Sequence, residues 1–324
     1  MFELKPWAFA DSLQPQADDV AFDLASALDS VVMIRAEIPE DAFTAGILGT
    51  ERGGYGVTID AKGLVLTIGY LITEAESVWL TTNSGAVVAG HPLVYDQITG
   101  LGLVQALGEL GAPPLLRGSA ADLRAGDEVY VIGQGGSGHA LKASLIDKRE
   151  FAGYWEYLLD EALFTAPAHP QWGGAALVDE QGRLVGIGSL LVQEADGDQS
   201  VQGNMFVPID LVEPILEGLR AGKPQIRTSR PWLGMYIQEA EGRLLVGGLA
   251  PGGPAEKAGV QVGDLVLGVA GDRTTKLADF LRRVWRLGAP GVEVPLMLAR
   301  QGDVLRVGLR SADRNDFLKK PRLH

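Results

Sequence analysis

The 324-residue chain contains no cysteine. Disulfide bridges, thiolate catalysis and zinc–thiolate sites are excluded on that ground alone. Histidine is scarce: His91, His139, His169 and His324 are the whole complement, and no two stand at a metal-ligand spacing. Neither a metal nor a cofactor is expected. Basic residues are in deficit, with 28 Lys and Arg against 41 Asp and Glu for a net charge of −13. Phosphate contacts need basic patches, so a nucleic-acid partner is not expected. No run of about 18 apolar residues occurs, so no membrane span is expected. The opening Met1-Phe2-Glu3-Leu4-Lys5-Pro6 lacks the basic-then-apolar order of a secretory signal. As it stands the sequence reads as cytoplasmic; a periplasmic setting requires that a signal segment has been removed.

What is present is enough for a large core. Apolar residues make up 46% of the chain, and the length suits two domains. From Ser30 onward, short β-rich runs recur: 31–35, 56–59, 64–67, 77–80, 86–88, 101–104, 128–132 and 176–178. Gly, Asp, Asn and Pro separate them at roughly the 8–12-residue interval of an all-β barrel or sandwich. Asp60-Ala61-Lys62-Gly63 and Asp179-Glu180-Gln181-Gly182 read as hairpin turns, with glycine supplying the positive φ. Helical periods run over 18–30, 209–219 and 277–287. Gly222-Lys223-Pro224 is a stop signal, and a domain boundary is expected between about Lys223 and Arg230.

Several motifs resemble one family. Gly54-Tyr55-Gly56-Val57-Thr58-Ile59-Asp60 with Gly63-Leu64-Val65-Leu66-Thr67 is similar to the opening of HtrA/DegP-type serine proteases. Asp96 to Leu103 resembles the family's aspartate segment, and Gln171-Trp172-Gly173-Gly174-Ala175 its nucleophile turn. The resemblance implies a mainly β fold: a trypsin-like double six-stranded β-barrel followed by an α+β PDZ domain. It divides the chain into an N-terminal segment 1–29, a barrel domain 30–222, a PDZ domain 231–311 and a tail 312–324. It also sets the family's catalytic His, Asp and Ser against Tyr70, Gly100 and Gly173.

Those three residues cannot run the family's chemistry. Gly173 has no nucleophile, a phenol of pKa near 10 is no base at neutral pH, and Gly100 has no carboxylate to orient one. The Trp172 indole is expected to occupy the substrate's space. The expectation is therefore a chain that is not an enzyme: a protease homologue that binds peptides, C-terminal tails or unfolded protein, in a scaffold, regulatory or chaperone-like role. The alternative is a serine endopeptidase of protein quality control with a relocated site, using Ser137 or another hydroxyl with His139 or His169.

Behind the barrel, Trp232-Leu233-Gly234-Met235 resembles the PDZ loop that binds a peptide's terminal carboxylate. Consecutive N–H groups must point at the anion there, and glycine lets the backbone wrap it. The resemblance makes 235–239 the edge strand that a peptide joins, with Ile237 on it, and Phe280, Leu281 and Val284 the apolar wall. The run 249–266 matches a structural motif of the same domain. Phe2, Trp7 and Phe9 resemble aromatics that pack across a three-fold axis in the family, which makes a homotrimer an expectation; equally, they cover the chain's own barrel.

Overall fold

The computed structural model describes residues 7–196, 199–222 and 229–320. It divides into two compact units, Met1–Arg149 with Glu161–Ile226 and Lys319–His324, and Glu150–Asp160 with Arg227–Leu318.

The first unit is built on two closed barrels. Strands β1 (Val31–Glu37), β2 (Glu51–Thr58), β3 (Leu64–Ile68), β4 (Ser77–Thr81), β5 (Val87–Tyr95) and β6 (Leu101–Ala106) close in the order β1-β2-β3-β6-β5-β4. Strands β7 (Glu128–Ile132), β8 (Ala140–Gly153), β9 (Tyr157–Ala166), β10 (Ala176–Val178), β11 (Leu184–Asp196) and β12 (Gln199–Pro208) close as β10-β11-β12-β9-β8-β7. This is the double six-stranded barrel that the resemblance implies. Closure leaves no open edge, and the inward faces are filled by side chains such as Ile34, Leu66, Leu103, Phe164 and Phe206, all fully buried. Each contributes roughly 1.5–3 kcal/mol through burial.

Local chemistry explains the two hairpins. The Asp60 carboxylate accepts from the backbone N–H of Lys62 (2.8 Å) and Leu64 (2.9 Å), and that of Asp179 from Gln181 (3.0 Å) and Arg183 (2.9 Å). Gly63 and Gly182 then take a φ of 76° in each turn. The N-terminal helix is shorter than its period suggests. It is α1 (Leu24–Asp29), and the Asp23 side chain caps it by accepting from Ser26 N–H at 3.0 Å. A single helical turn, α2 (Ala45–Leu48), follows β1, and α3 (Glu213–Arg220) follows β12 after a 3₁₀ turn at Ile209–Val212.

The second unit is a sheet with helices. Strands β13 (Met235–Ala240), β14 (Arg243–Leu249), β15 (Leu265–Val269), β17 (Glu293–Arg300) and β18 (Asp303–Arg310) pair in that order, with β16 (Asp272–Arg273) beside β15. The unit also holds α4 (Pro254–Lys257) and α5 (Leu277–Arg286). Asp264, 1% exposed, accepts a bidentate pair from Arg300 at 2.6 and 2.7 Å, fixing the turn before β15 to β17.

Two boundaries differ from the sequence reading. Residues 150–160, read as barrel, cluster with the second unit, and Lys319 clusters with the first. Composition cannot show where a hairpin tip packs, because its residues look like those of any other turn. The long strands β8, β9 and β12 also escape the pattern of short β-rich runs.

Candidate functional site

The turn 170–174 is stitched to β2. Tyr55 N–H donates to the Gly173 carbonyl at 2.7 Å, and a Cβ on Gly54 would lie 2.6 Å from that same oxygen. Gly174 has a φ of +78°, and a Cβ there would meet the Tyr55 carbonyl at 1.8 Å. No larger residue fits at this crossing.

Tyr70 lies on the 3₁₀ turn Gly69–Leu71 and reaches the same place. Its hydroxyl donates to the Ser189 carbonyl at 3.0 Å and is hydrogen-bonded by the Trp172 side chain. Burial raises its pKa above the ordinary 10, so the group is a neutral phenol at any physiological pH. A Cβ on Gly173 would stand 2.9 Å from this hydroxyl. Gly100, at φ +79°, precedes β6 and accepts through its carbonyl from Gly69 N–H at 2.7 Å. The three residues aligned by the resemblance thus converge: Tyr70 on Gly173 by side chain, Gly100 on the turn of Tyr70 by backbone.

Arg52 holds that turn from behind. This side chain, 5% exposed, donates to the carbonyls of Tyr70 (2.7 Å) and Thr73 (3.0 Å) and to Thr44 Oγ1 (2.8 Å). Glu74 accepts from Thr44 N–H (2.7 Å), Phe43 N–H (3.0 Å) and Lys319 N–H (2.9 Å). Beside Tyr70 a cavity of about 430 Å³ is lined by Met33, Gly54, Tyr70, Leu71, Trp172 and Gly173, among others. The Trp172 side chain, expected to occupy the substrate's space, lines this cavity and hydrogen-bonds the Tyr70 hydroxyl.

The histidines divide into two types. His169 is fully buried; its Nδ1 accepts from Gln171 N–H at 3.1 Å and its Nε2 lies 3.1 Å from the His139 carbonyl. Burial lowers its pKa to about 4. His139 is partly exposed, burial also lowers its pKa, and its buried Nδ1 has no hydrogen-bond partner. It ends the 3₁₀ turn Ser137–His139, which opens with an exposed Ser137. Trp7 packs edge-on against His139 at 4.4 Å between ring centroids, and Phe9 against His169 at 5.1 Å. These two aromatics pack on histidines of their own chain and stay partly exposed; Phe2 lies outside the described residues.

In the second unit the loop read as carboxylate-binding closes on a carboxylate of the chain's own. Backbone N–H groups of Leu233, Gly234 and Met235 donate to the Glu156 carboxylate at 3.0, 2.7 and 3.0 Å. Gly234 takes a φ of +73°, which turns these donors to one side. Burial pushes the Glu156 carboxyl up to about 7, against the pull of those three donors and of Arg314. Trp232 has a different part: its N–H donates to the Ala312 carbonyl at 3.0 Å and its ring packs on Phe317 at 4.8 Å. Ile237, Phe280, Leu281 and Val284, read as lining the groove, are at most 1% exposed and lie in the unit's apolar cluster, which Leu158 joins. Glu156, distant in sequence from the loop it fills, carries no signal by which a sequence reading could have found it; nor do Ser189 and Arg52.

Known proteins bear on both units. The family profile described as trypsin-like peptidase domain matches residues 54–187, and that described as PDZ domain matches 245–294. A curated relative from Pseudomonas fluorescens, named probable periplasmic serine endoprotease DegP-like, is 28% identical over 262 residues, 77% of this chain and 54% of its own length. One of the same name from Halomonas elongata is 24% identical over 279 residues, 82% of this chain and 57% of its own length. The chain spans about half the length of these curated relatives. Among solved structures, the HtrA-type protease AlgW with decapeptide matches with a TM-score of 0.51 and 18% identity, over 93% of this chain and 100% of that one. The serine endoprotease from Yersinia pestis matches with a TM-score of 0.50 and 22% identity, over 90% and 98%. At these identities the solved structures show the fold. The expectation of a non-enzyme is corrected by the curated relatives, which are named serine endoproteases and point to a protease.

Proposed function

From its membership of the HtrA/DegP-like family, with a trypsin-like peptidase domain and one PDZ domain, we propose that this protein handles polypeptides in periplasmic protein quality control and selects them by their free carboxyl termini. The observation that carries this reading is the convergence of the Leu233, Gly234 and Met235 N–H groups on a single carboxylate. Such a nest of successive backbone donors suits an anion of carboxylate size and is blind to the side chains that precede it. Calorimetric titration with a short peptide ending in valine, against its amidated twin, tests the reading. The free acid should bind and the amide should not; equal binding of the two would refute it.

The chemistry at the barrels is a second reading, favoured by the relatives' names. We propose a serine-type endopeptidase whose nucleophile lies off position 173. If Tyr70, Gly100 and Gly173 hold the triad positions, they supply no hydroxyl–imidazole pair, so another hydroxyl must serve. Ser137 with His139 is the pair supported best. The serine is exposed and shares a 3₁₀ turn with the histidine, whose lowered pKa keeps it a neutral base at pH 7; its buried Nδ1 has no partner, so the hydroxyl would have to move to reach the ring. His169 is a poorer base, with both ring nitrogens engaged. A fluorophosphonate probe should label the full chain at Ser137, and Ser137→Ala and His139→Ala should abolish casein turnover. No label and no turnover by the unaltered chain would remove this reading.

A further inference from the structure

Glu156 does at the carboxylate-binding loop what the end of a peptide would do. Its Oε1 accepts from Gly234 and Met235 N–H at 2.7 and 3.0 Å, and its Oε2 from Leu233 N–H at 3.0 Å. Two residues earlier, the Tyr154 carbonyl accepts from Ile237 N–H on β13 at 3.0 Å. A peptide joining this edge as an added strand would use that same donor. Two residues after Glu156, Leu158 is buried in the apolar cluster that holds Leu233, Ile237, Phe280, Leu281 and Val284. Carboxylate capture, edge pairing and apolar anchoring are thus all supplied by one turn of this chain.

The turn is held in place and held under strain. Arg282 of α5 forms ion pairs with Glu150 and Asp160, one on each leg of the hairpin. Glu156 itself has a φ of +62°, the left-handed region where a three-residue hairpin connection ordinarily carries glycine. A side chain at this position is unfavourable for the turn alone. What the glutamate gains is its reach into the loop.

We propose that the turn Tyr154–Glu156 is a built-in ligand of the carboxylate-binding loop, which a polypeptide with a free terminal carboxylate and an apolar last residue must displace in order to bind. The inference rests on the reading of that loop as a carboxylate receptor. It makes occupancy a competition: the internal carboxylate is tethered and always present, so an external terminus succeeds only when its own strand pairing and last side chain outweigh those of the turn.

The test uses the full chain, Glu156→Ala and Glu156→Gln, each titrated by calorimetry with the valine-ending peptide and its amidated twin. The alanine variant should bind the free acid about tenfold or more tightly than the unaltered chain, and neither should bind the amide. The glutamine variant keeps an acceptor oxygen but loses the charge, and should gain about threefold. Saturating peptide should also speed amide exchange across 154–156 in the unaltered chain. Equal affinity of all three forms for the free acid, with the amide still rejected, would overturn the built-in ligand while leaving the receptor reading intact. Failure of every form to prefer the acid over the amide would remove the receptor reading and this inference with it. If Glu156→Ala does not fold, Glu156→Gln decides by the same comparison.

Discussion

The Tyr70 hydroxyl lies 2.9 Å from the point where a side chain on Gly173 would begin. The two residues are matched: a phenol held by Ser189 and Trp172 fills the space that any larger residue at 173 would enter. Gly173→Ala should therefore lose about 1–3 kcal/mol of stability through overpacking. In a Tyr70→Ala background the same change should be nearly neutral. Denaturant unfolding of the four forms gives the coupling, which should be about 1 kcal/mol or more.

Gly174 is a harder constraint than Gly173. Its added Cβ meets backbone, the Tyr55 carbonyl at 1.8 Å, and its φ is +78°. Gly174→Ala should lose more than about 3 kcal/mol or prevent folding. Gly85, with a φ of +86° and open space around it, is the control. Gly85→Ala should lose only about 1 kcal/mol, from backbone strain alone. Thermal melts of both variants check the contrast.

His169 should make the barrel unit acid-sensitive. Burial lowers its pKa from the ordinary 6.5 to about 4. Between those values the unfolded chain binds the proton and the folded chain does not, so stability falls as pH drops from about 6.5 to about 4. The full loss from this one group is about 3 kcal/mol. His169→Gln should be less stable at neutral pH but show a flatter profile across that window. Urea unfolding at a series of pH values measures the difference between the two slopes.

Arg52 should matter beyond its own packing. Removing the guanidinium leaves the Tyr70 and Thr73 carbonyls without their donor inside the protein. Arg52→Ala should lose about 3 kcal/mol. Amide exchange over 69–73 should accelerate, because that turn is what the side chain ties down. Lysine should rescue only partly, since one ammonium cannot match a planar fork with several acceptors.

Much of the architecture was legible in the chain. The short β-rich runs and the glycine-bearing turns at 60–63 and 179–182 forecast barrel hairpins because both the pattern and its cause are local. The second unit's edge strand and the helix over 277–287 were legible for the same reason. The loop at 233–235 could be named from Gly234, but Trp232 beside it could not be told from a ligand contact, because its N–H partner Ala312 is remote in sequence. That the proposed groove wall is covered was hidden for a related reason: an apolar helix face looks alike whether it stands open or is packed under another part of the chain, here Leu158.

Sequence alone determined which chemical groups exist. There is no thiol anywhere, there is no hydroxyl on Gly173, and there is a glycine at turns such as Gly63, Gly174 and Gly182 where the chain bends left-handed. Tertiary structure alone decided what those groups meet. It set Tyr70 against Gly173 and carried Glu156 across 78 residues into the nest at Gly234. The reason is range: turns, caps and periods are fixed by neighbours a few bonds away, whereas the partner of a buried carboxylate or phenol is fixed only when the strands close and the solvent is excluded.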